Sequence, residues 1–247
     1  MKVSVLLPVK DQSEKLLKNL AEHILPYFDN SGIVYDVLIC YDGSNEQEQA
    51  LMVEGVKKLP AQVKLLPYEN LKGKGHNVKK AMLASDADYV LFMDADLATD
   101  LSIFDHIKPE LGNYDCFIAS RDLPESVYGQ KQPLLRRLNH WGCRKVVSFK
   151  FKMKLRDTQC GYKCIRTDIA KKYVGVSIID GFAFDVEMLY FMRLNGYSIV
   201  EVPAIWTDDA DSSVGGVFAT AKRFYADLNR IKKNKENYIL EGENDAH

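Results

Sequence analysis

The first hundred residues alternate between short apolar runs and segments with helical spacing. The apolar runs cover residues 3–9, 35–41, 63–68 and 89–93. They are rich in Val, Ile, Leu and aromatic residues, as expected for strands buried on both faces. The intervening segments 13–24, 47–59 and 77–84 repeat apolar residues at helical intervals. This alternation predicts βαβ units, and hence an α/β fold with a mostly parallel central sheet flanked by helices.

The alternation loosens after Asp100. The elements predicted there are a helix at 101–111, a strand at 116–120, an extended piece at 161–165, a helix at 185–195, a strand at 198–203 and a helix at 218–232. A chain of 247 residues, 47% of them hydrophobic, can bury one large core. We therefore expect a single domain over residues 1–234, followed by a polar tail at 235–247.

Acidic residues follow three of the predicted strands, at Asp11, at Asp42 and at the pair Asp94 and Asp96. Ligands of open parallel sheets bind at the carboxyl ends of the strands. Residues two apart in an extended chain point the same way, so Asp94 and Asp96 could offer oxygen ligands to a hard divalent cation shared with substrate phosphates. A solvated acidic loop or a helix cap would account for the same pair.

A glycine-containing turn, Gly73-Lys74-Gly75, precedes the third predicted helix. It could bring backbone N–H groups and an ammonium to a diphosphate, although a plain strand-to-helix turn explains it equally well. The P-loop pattern is absent from this turn. No Gly-x-Gly-x-x-Gly follows the first strand either, which argues against a dinucleotide-binding oxidoreductase.

The formal net charge of −1 conceals an uneven distribution. Residues 126–156 contain nine Lys and Arg and no acidic residue, whereas 24 basic residues face 34 acidic ones in the rest of the chain. Residues 149–155 alternate apolar residues with Lys150, Lys152 and Lys154, which predicts an extended strip with the lysines on one face. We expect the basic segment 127–156 to dock on an anionic membrane surface, with a solvated face as the alternative. Nucleic acid is not an expected partner, because stacking platforms and known binding motifs are missing.

The apolar runs and the cysteines indicate the cellular compartment of the protein. No run reaches the ~18 apolar residues of a membrane-spanning helix, and residues 3–9 are too short for the apolar region of a signal peptide. The five cysteines are scattered, which is typical of free thiols in a reducing compartment. We expect a cytoplasmic protein that is peripheral on the cytosolic face of a membrane.

An ordered set of motifs resembles the family 2 glycosyltransferases with the GT-A fold, and within them the dolichyl-phosphate glucosyltransferase and polyprenyl-phosphate sugar synthase branch. The motifs are Val5-Leu6-Leu7-Pro8-Val9, Tyr41-Asp42-Gly43-Ser44, Gly73-Lys74-Gly75, Met93-Asp94-Ala95-Asp96-Leu97, Ala119-Ser120-Arg121, Arg156-Asp157-Thr158-Gln159-Cys160-Gly161-Tyr162-Lys163, Phe184-Asp185-Val186-Glu187, Gly196-Tyr197 and Glu201-Val202-Pro203. The resemblance implies a Rossmann-like sheet with a smaller acceptor-side subregion. It also implies a nucleotide-sugar half at 1–100, an acceptor half at 101–217 and an amphipathic basic helix at 218–234.

The resemblance also implies roles for individual residues. Asp94 and Asp96 would hold Mg²⁺ or Mn²⁺ against the diphosphate. The other implied donor-side contacts are Pro8, Val9, Asp11, Asp42, Lys74 and Ala95. Arg121 and an arginine of the Arg136-Arg137 pair would receive the acceptor phosphate, which an arginine fork matches in a bidentate way.

The resemblance implies an inverting, metal-dependent transferase that moves a sugar, with glucose from UDP-glucose as the first candidate, onto a polyprenyl or dolichyl phosphate. A glycan or glycolipid hydroxyl is the alternative acceptor, and it would need a general base, for which Asp185 and Asp157 are the candidates. A helix cap for Asp185 and an ion pair with Arg156 for Asp157 are the competing interpretations. A degenerate fold that only binds sugar nucleotides or acts as a scaffold is the third possibility, raised by departures from the family pattern at Lys10, Gln12, Tyr41, Ala98 and Ser213.

Overall fold

A computed structural model describes residues 1–43, 45–68, 72–129, 134–207 and 217–240; for residues 134–140 and 217–221 it describes the backbone alone. The strands are β1 Lys2–Val9, β2 Val34–Tyr41, β3 Val63–Leu65, β4 Tyr89–Met93, β5 Cys116–Ser120, β6 Val127–Tyr128, β7 Tyr162–Arg166, β8 Ile199–Pro203 and β9 Ile205–Trp206. The helices are α1 Ser13–Asn19, α2 Leu25–Asn30, α3 Glu46–Val56, α4 Lys74–Ala84, α5 Ile103–Ile107, α6 Leu134–Phe151, α7 Thr167–Val176, α8 Phe184–Leu194 and α9 Val217–Lys233. A π-helical turn, Leu20–Ile24, joins α1 to α2, and 3-10 turns cover Lys108–Glu110 and Lys235–Tyr238.

The central sheet has seven strands in the order β3-β2-β1-β4-β7-β5-β8. All neighbouring strands pair in parallel except β7, which is antiparallel to both β4 and β5. The predicted mostly parallel α/β sheet is confirmed, and strands from both sides of Asp100 belong to it. The strand order reverses between β1 and β4, which is where open α/β sheets bind ligands.

Successive strand residues face two different apolar layers. In β4, Val90 and Phe92 pack on the α4, α7 and α8 side, whereas Leu91 and Met93 pack on the α1, α3 and α5 side. Both faces of the strand are therefore buried, which explains why the strand sequences lack polar alternation. All five cysteines are free thiols, as expected.

The extended conformation predicted for residues 149–155 is wrong. Helix α6 runs to Phe151 and ends where Lys152 adopts a left-handed φ of 52°. Val147 and Phe151, four residues apart, are buried on one side of the helix, so Phe149 points outward and is 89% exposed. Seven alternating residues cannot distinguish a strand from a helix end, and packing of the i, i+4 pair decides the outcome.

Other differences concern elements that tertiary contacts create. Helix α7 and the two-stranded pair β6 and β9 were not predicted, and the helix expected at 101–111 shortens to α5 and a 3-10 turn containing Pro109. The polar tail expected from residue 235 instead starts with a packed 3-10 turn, Lys235–Tyr238. Tyr238 is fully buried there, and its hydroxyl donates a 2.6 Å hydrogen bond to Glu187, which also accepts from Tyr173. Residues 241–247 lie outside the described part of the chain.

Candidate active site

The carboxyl ends of β1, β2 and β4 meet at one edge of the sheet. Val9 pairs with Tyr41 in the parallel register, and the Asp42 backbone N–H donates to the Val9 carbonyl at 2.8 Å. Beyond Val9 the chain turns sharply through Asp11, with a φ of 47°. The Tyr41 hydroxyl donates to the Asp11 carboxylate at 3.3 Å. Pro8 and Val9 at the end of β1, Asp11 beyond it and Asp42 after β2 therefore lie together.

The Asp42 carboxylate organises the turn that leads into α4. Its two oxygens accept backbone hydrogen bonds from Lys72 at 3.1 Å and Gly73 at 3.0 Å. Gly73 has a φ of 110°, a conformation that favours glycine, and a Cβ there would lie 2.6 Å from the Asp180 carbonyl oxygen. Asp42 thus fixes the start of α4 whatever contact it makes with a nucleotide base, which stays a prediction.

Lys74, the first residue of α4, reaches across to the end of β4. Its ammonium lies 2.6 Å from Asp94 Oδ1 and 5.1 Å from the centre of the Phe92 ring. Burial alone would lower the pKa of Lys74, but Asp94, Asp185 and Asp96 outweigh burial and raise the pKa. Lys74 is therefore charged at neutral pH and sits among carboxylates.

Asp94 and Asp96 supply hard oxygen donors at the point where the strand order reverses. The Asp94 backbone N–H donates to the Gly161 carbonyl at 3.0 Å, and a Cβ on Gly161 would lie 1.9 Å from Asp94 Oδ2. Glycine at 161 therefore leaves room for the Asp94 carboxylate. Asp96 Oδ1 accepts the Ala98 backbone N–H at 3.0 Å, and Asn19 donates to the Ala95 carbonyl at 2.9 Å, so the whole turn is held in place.

This donor set fits Mg²⁺ or Mn²⁺. Within the described ranges, no group of three or more His, Cys, Asp or Glu is arranged to hold a metal ion. Mg²⁺ in phosphate-transferring sites is commonly held by one or two carboxylates, with phosphate oxygens and waters as the remaining ligands. Asp94 and Asp96, both partly exposed, match that kind of site.

Asp185 lies in the first turn of α8, close enough to Lys74 to contribute to its raised pKa. Ala183 is the N-cap residue of α8, so the capping role considered for Asp185 is wrong. Instead, Asp185 Oδ1 forms a 2.8 Å ion pair with Lys163, which is fully buried in β7 and also donates to the Cys160 carbonyl at 2.5 Å. Burial raises the pKa of the Asp185 carboxyl, and Lys163 and Lys74 oppose that shift.

Asp157 is paired with Arg121, whereas the Arg156 guanidinium donates to the Asp122 carbonyl at 3.4 Å. The Arg121 Nε and Nη2 atoms lie 2.6 and 3.1 Å from the two carboxylate oxygens of Asp157, which is buried. The Arg121 guanidinium also lies 5.8 Å from the Trp206 ring centre. Burial favours the neutral form of Arg121, but Asp157 outweighs burial and raises the pKa. The Arg121 guanidinium, which was expected to bind the acceptor phosphate, is thus already paired with the Asp157 carboxylate.

The glycosyl transferase family 2 profile matches residues 4–174, which is more than half of the chain. The protein belongs to glycosyl transferase family 2. This match, together with the sheet order and the position of the carboxylates at its switch point, confirms the family expected from the motifs.

Curated relatives of this family 2 glycosyltransferase include dolichyl-phosphate β-glucosyltransferases. The *Dictyostelium discoideum* protein is 30% identical over 205 residues, covering 80% of this chain and 62% of the relative. The human protein is 25% identical over 219 residues, covering 83% of this chain and 67% of the relative. This chain therefore spans about two thirds of the length of such relatives.

Solved structures with a similar fold include glucosyl-3-phosphoglycerate synthase from *Mycobacterium tuberculosis*. Its complex with Mn²⁺, uridine diphosphate and glucosyl-3-phosphoglycerate superposes with a TM-score of 0.67 at 13% identity, covering 98% of this chain and 81% of that one. At this identity the likeness establishes the GT-A-like fold and no more.

Two features of this family 2 site were missed by sequence reasoning. One is Lys163, whose place inside the apolar strand β7 is the sequence signal of a buried counter-ion. Trp206 and Tyr128, on β9 and β6, pack edge to face at 6.0 Å beside Arg121. The side chains of Arg136 and Arg137, as well as Ser44 and Ser213, lie outside the described residues.

Proposed function

We propose that this family 2 glycosyltransferase moves a sugar, glucose from UDP-glucose as the first candidate, onto a polyprenyl or dolichyl phosphate at the cytosolic face of a membrane. The donor assignment draws on the Asp94–Asp96 pair at the switch point and on the Mn²⁺ and uridine diphosphate named for the *M. tuberculosis* structures. The acceptor assignment draws on the names of the curated relatives.

The observation that carries the choice of acceptor is that both candidate bases are ion-paired. Asp185 is paired with Lys163, and Asp157 is paired with Arg121. A hydroxyl acceptor needs a base to take its proton, whereas a phosphate monoester is already an anion at neutral pH. These contacts therefore favour an anionic acceptor over a glycan hydroxyl.

The transfer is an in-line displacement at the anomeric carbon. An acceptor phosphate oxygen forms the new bond as the bond to the donor diphosphate breaks, and the departing nucleoside diphosphate keeps the electron pair. Asp94 and Asp96 would hold a divalent cation, whose charge would offset the charge that develops on the leaving diphosphate. Lys74 contributes a second positive charge at the same edge, and Asp42 holds the turn that presents it.

Purified protein with Mn²⁺, UDP-glucose and a short polyprenyl phosphate tests this proposal. We expect equal amounts of UDP and glucosyl lipid to form, and parallel reactions with other nucleotide sugars and with glycan acceptors rank the specificity. UDP formation without a lipid product, in the presence of the phosphate acceptor, would overturn the acceptor assignment. Sugar transfer only to a hydroxyl acceptor would establish the alternative.

Helix α6 carries an exposed stripe that suits an anionic membrane surface. We define the α6 stripe as Trp141, Lys145 and Phe149, which share the side opposite buried Val147 and Phe151, together with the exposed Lys152 directly after the helix. The Lys145 ammonium lies 5.8 Å from the Trp141 ring centre. Aromatic side chains that enter the interface, flanked by lysines that meet anionic headgroups, are typical of peripheral membrane helices. None of the helices in the described residues is both long and apolar enough to cross a bilayer.

Liposome flotation tests the α6 stripe. Changing Lys145 and Lys152 to Gln should weaken binding to anionic vesicles by about 1 kcal/mol per lysine, and Phe149→Ser should weaken it further. Lys150 is a poorer target, because its ammonium contacts Asn229 of α9 at 2.5 Å. Leu83→Ser, at an exposed apolar residue of α4, is the matched control and should float like wild type. Equal flotation of the stripe variants and wild type would overturn membrane docking through α6.

A further inference from the structure

The Lys74 ammonium contacts a carboxylate oxygen of Asp94 that a metal ion would need as a ligand. Its ammonium contacts Asp94 Oδ1 at 2.6 Å, and no more than a quarter of its side chain is exposed. The opposite oxygen, Asp94 Oδ2, faces the backbone of Gly161. A cation that binds through Oδ1 would therefore compete with the ammonium for that oxygen.

The charges around Asp94 explain why a lysine is needed there before any metal arrives. The cluster consists of Asp94, Asp96, Asp185, Lys74 and Lys163. Lys163 is committed to Asp185 at 2.8 Å. Among the described residues of this cluster, Lys74 therefore offsets the repulsion between Asp94 and Asp96. Without Lys74, the negative charges of the two carboxylates would be less compensated and would attract a dication more strongly.

We propose that Lys74 is an exchangeable counter-ion, which holds Asp94 until a divalent cation replaces it and then pairs with the donor diphosphate. The inference rests on the proposed function, because it takes Asp94 and Asp96 as metal ligands. A dication at this pair repels the ammonium, and diphosphate oxygens become its nearest anionic partner. The same residue thus opposes binding of the metal alone and supports binding of the nucleotide with the metal.

Lys74→Met separates these two effects, because they have opposite signs. Titration of Mn²⁺ followed by electron paramagnetic resonance, with no nucleotide present, should show about tenfold tighter binding in the variant. Calorimetric titration of UDP at saturating Mn²⁺ should show about tenfold weaker binding. A side chain that only stabilises the fold would not shift the two affinities in opposite directions.

Two variants serve as matched controls. Lys74→Arg keeps the positive charge beside Asp94 and should bind Mn²⁺ alone much as wild type does. Lys79→Gln removes another ammonium from α4, one that is paired with Asp180 at 2.8 Å, and should change neither affinity.

The outcomes distinguish this inference from the proposed function. Unchanged or weaker Mn²⁺ binding by Lys74→Met, with wild type binding Mn²⁺ through Asp96, would overturn the exchange and leave the metal site standing. Equal Mn²⁺ binding by wild type and Asp96→Asn would instead show that the metal assignment itself is wrong, and the exchange with it.

Discussion

Asp96→Asn is expected to reduce sugar transfer about a thousandfold or more. The change removes one of the two carboxylates that would hold the divalent cation, while an amide oxygen can still accept the Ala98 N–H at 3.0 Å. The turn should therefore keep its shape and lose its charge. Initial rates with UDP-glucose and a polyprenyl phosphate, at several Mn²⁺ concentrations, measure the effect.

Asp100→Asn is the matched control for that experiment. Asp100 lies four residues further along the chain, is exposed, and accepts a 2.8 Å hydrogen bond from the Ser102 backbone. Surface substitutions of this kind usually shift stability by less than about 0.5 kcal/mol, so activity should stay close to that of wild type. Activity within tenfold of wild type for Asp96→Asn would contradict the metal assignment.

Lys163→Met is expected to lower the free energy of unfolding by about 3–5 kcal/mol. Lys163 is fully buried, and its loss leaves the Asp185 carboxylate inside the protein without its counter-ion. Urea unfolding followed by circular dichroism measures the change. Lys64→Met, at an exposed lysine of β3, is the control and should cost little.

The cost of Lys163→Met should depend on pH. Burial raises the pKa of Asp185 in the folded protein, and loss of Lys163 removes a group that opposes this shift. A carboxyl with a raised folded-state pKa costs stability as pH rises above its unfolded value, about 3.9 for Asp. The gap between variant and wild type should therefore be larger at pH 7 than at pH 5. Adding Asp185→Asn should recover part of the loss; a pH-independent gap with no recovery would contradict this account of the pair.

Local sequence predicted which acidic residues lie together at the carboxyl ends of the strands. Strands β1, β2 and β4 could be predicted because strands buried on both faces are apolar throughout. The polar residues that follow parallel strands must then lie at one edge of the sheet. Asp94, Asp96 and Asp42 were found in this way. The partners of these residues could not be predicted in this way. Lys74 comes twenty residues before Asp94, and Gly161 directly precedes β7, which runs antiparallel to β4.

Two residues show where sequence patterns fail. Phe149 was expected on the apolar face of an extended strip, but burial of Val147 and Phe151 turns it outward on α6. Tyr238 was expected in a polar tail, but Glu187, buried in α8, supplies a hydrogen-bond partner 51 residues away. In both cases a distant surface decided which side of a short segment is buried.

The family, the parallel core and the carboxylate pair could be predicted from the amino-acid sequence, because they depend on hydrophobic periodicity and on residues adjacent in the chain. The pairing of the charges emerged only from the fold: Lys74 with Asp94, Lys163 with Asp185, Arg121 with Asp157. Coulomb interactions depend on distance in space and on burial, and neither is encoded in any short stretch of the chain. The two candidate bases could therefore be predicted from the sequence, whereas the cations that pair with them follow from the fold.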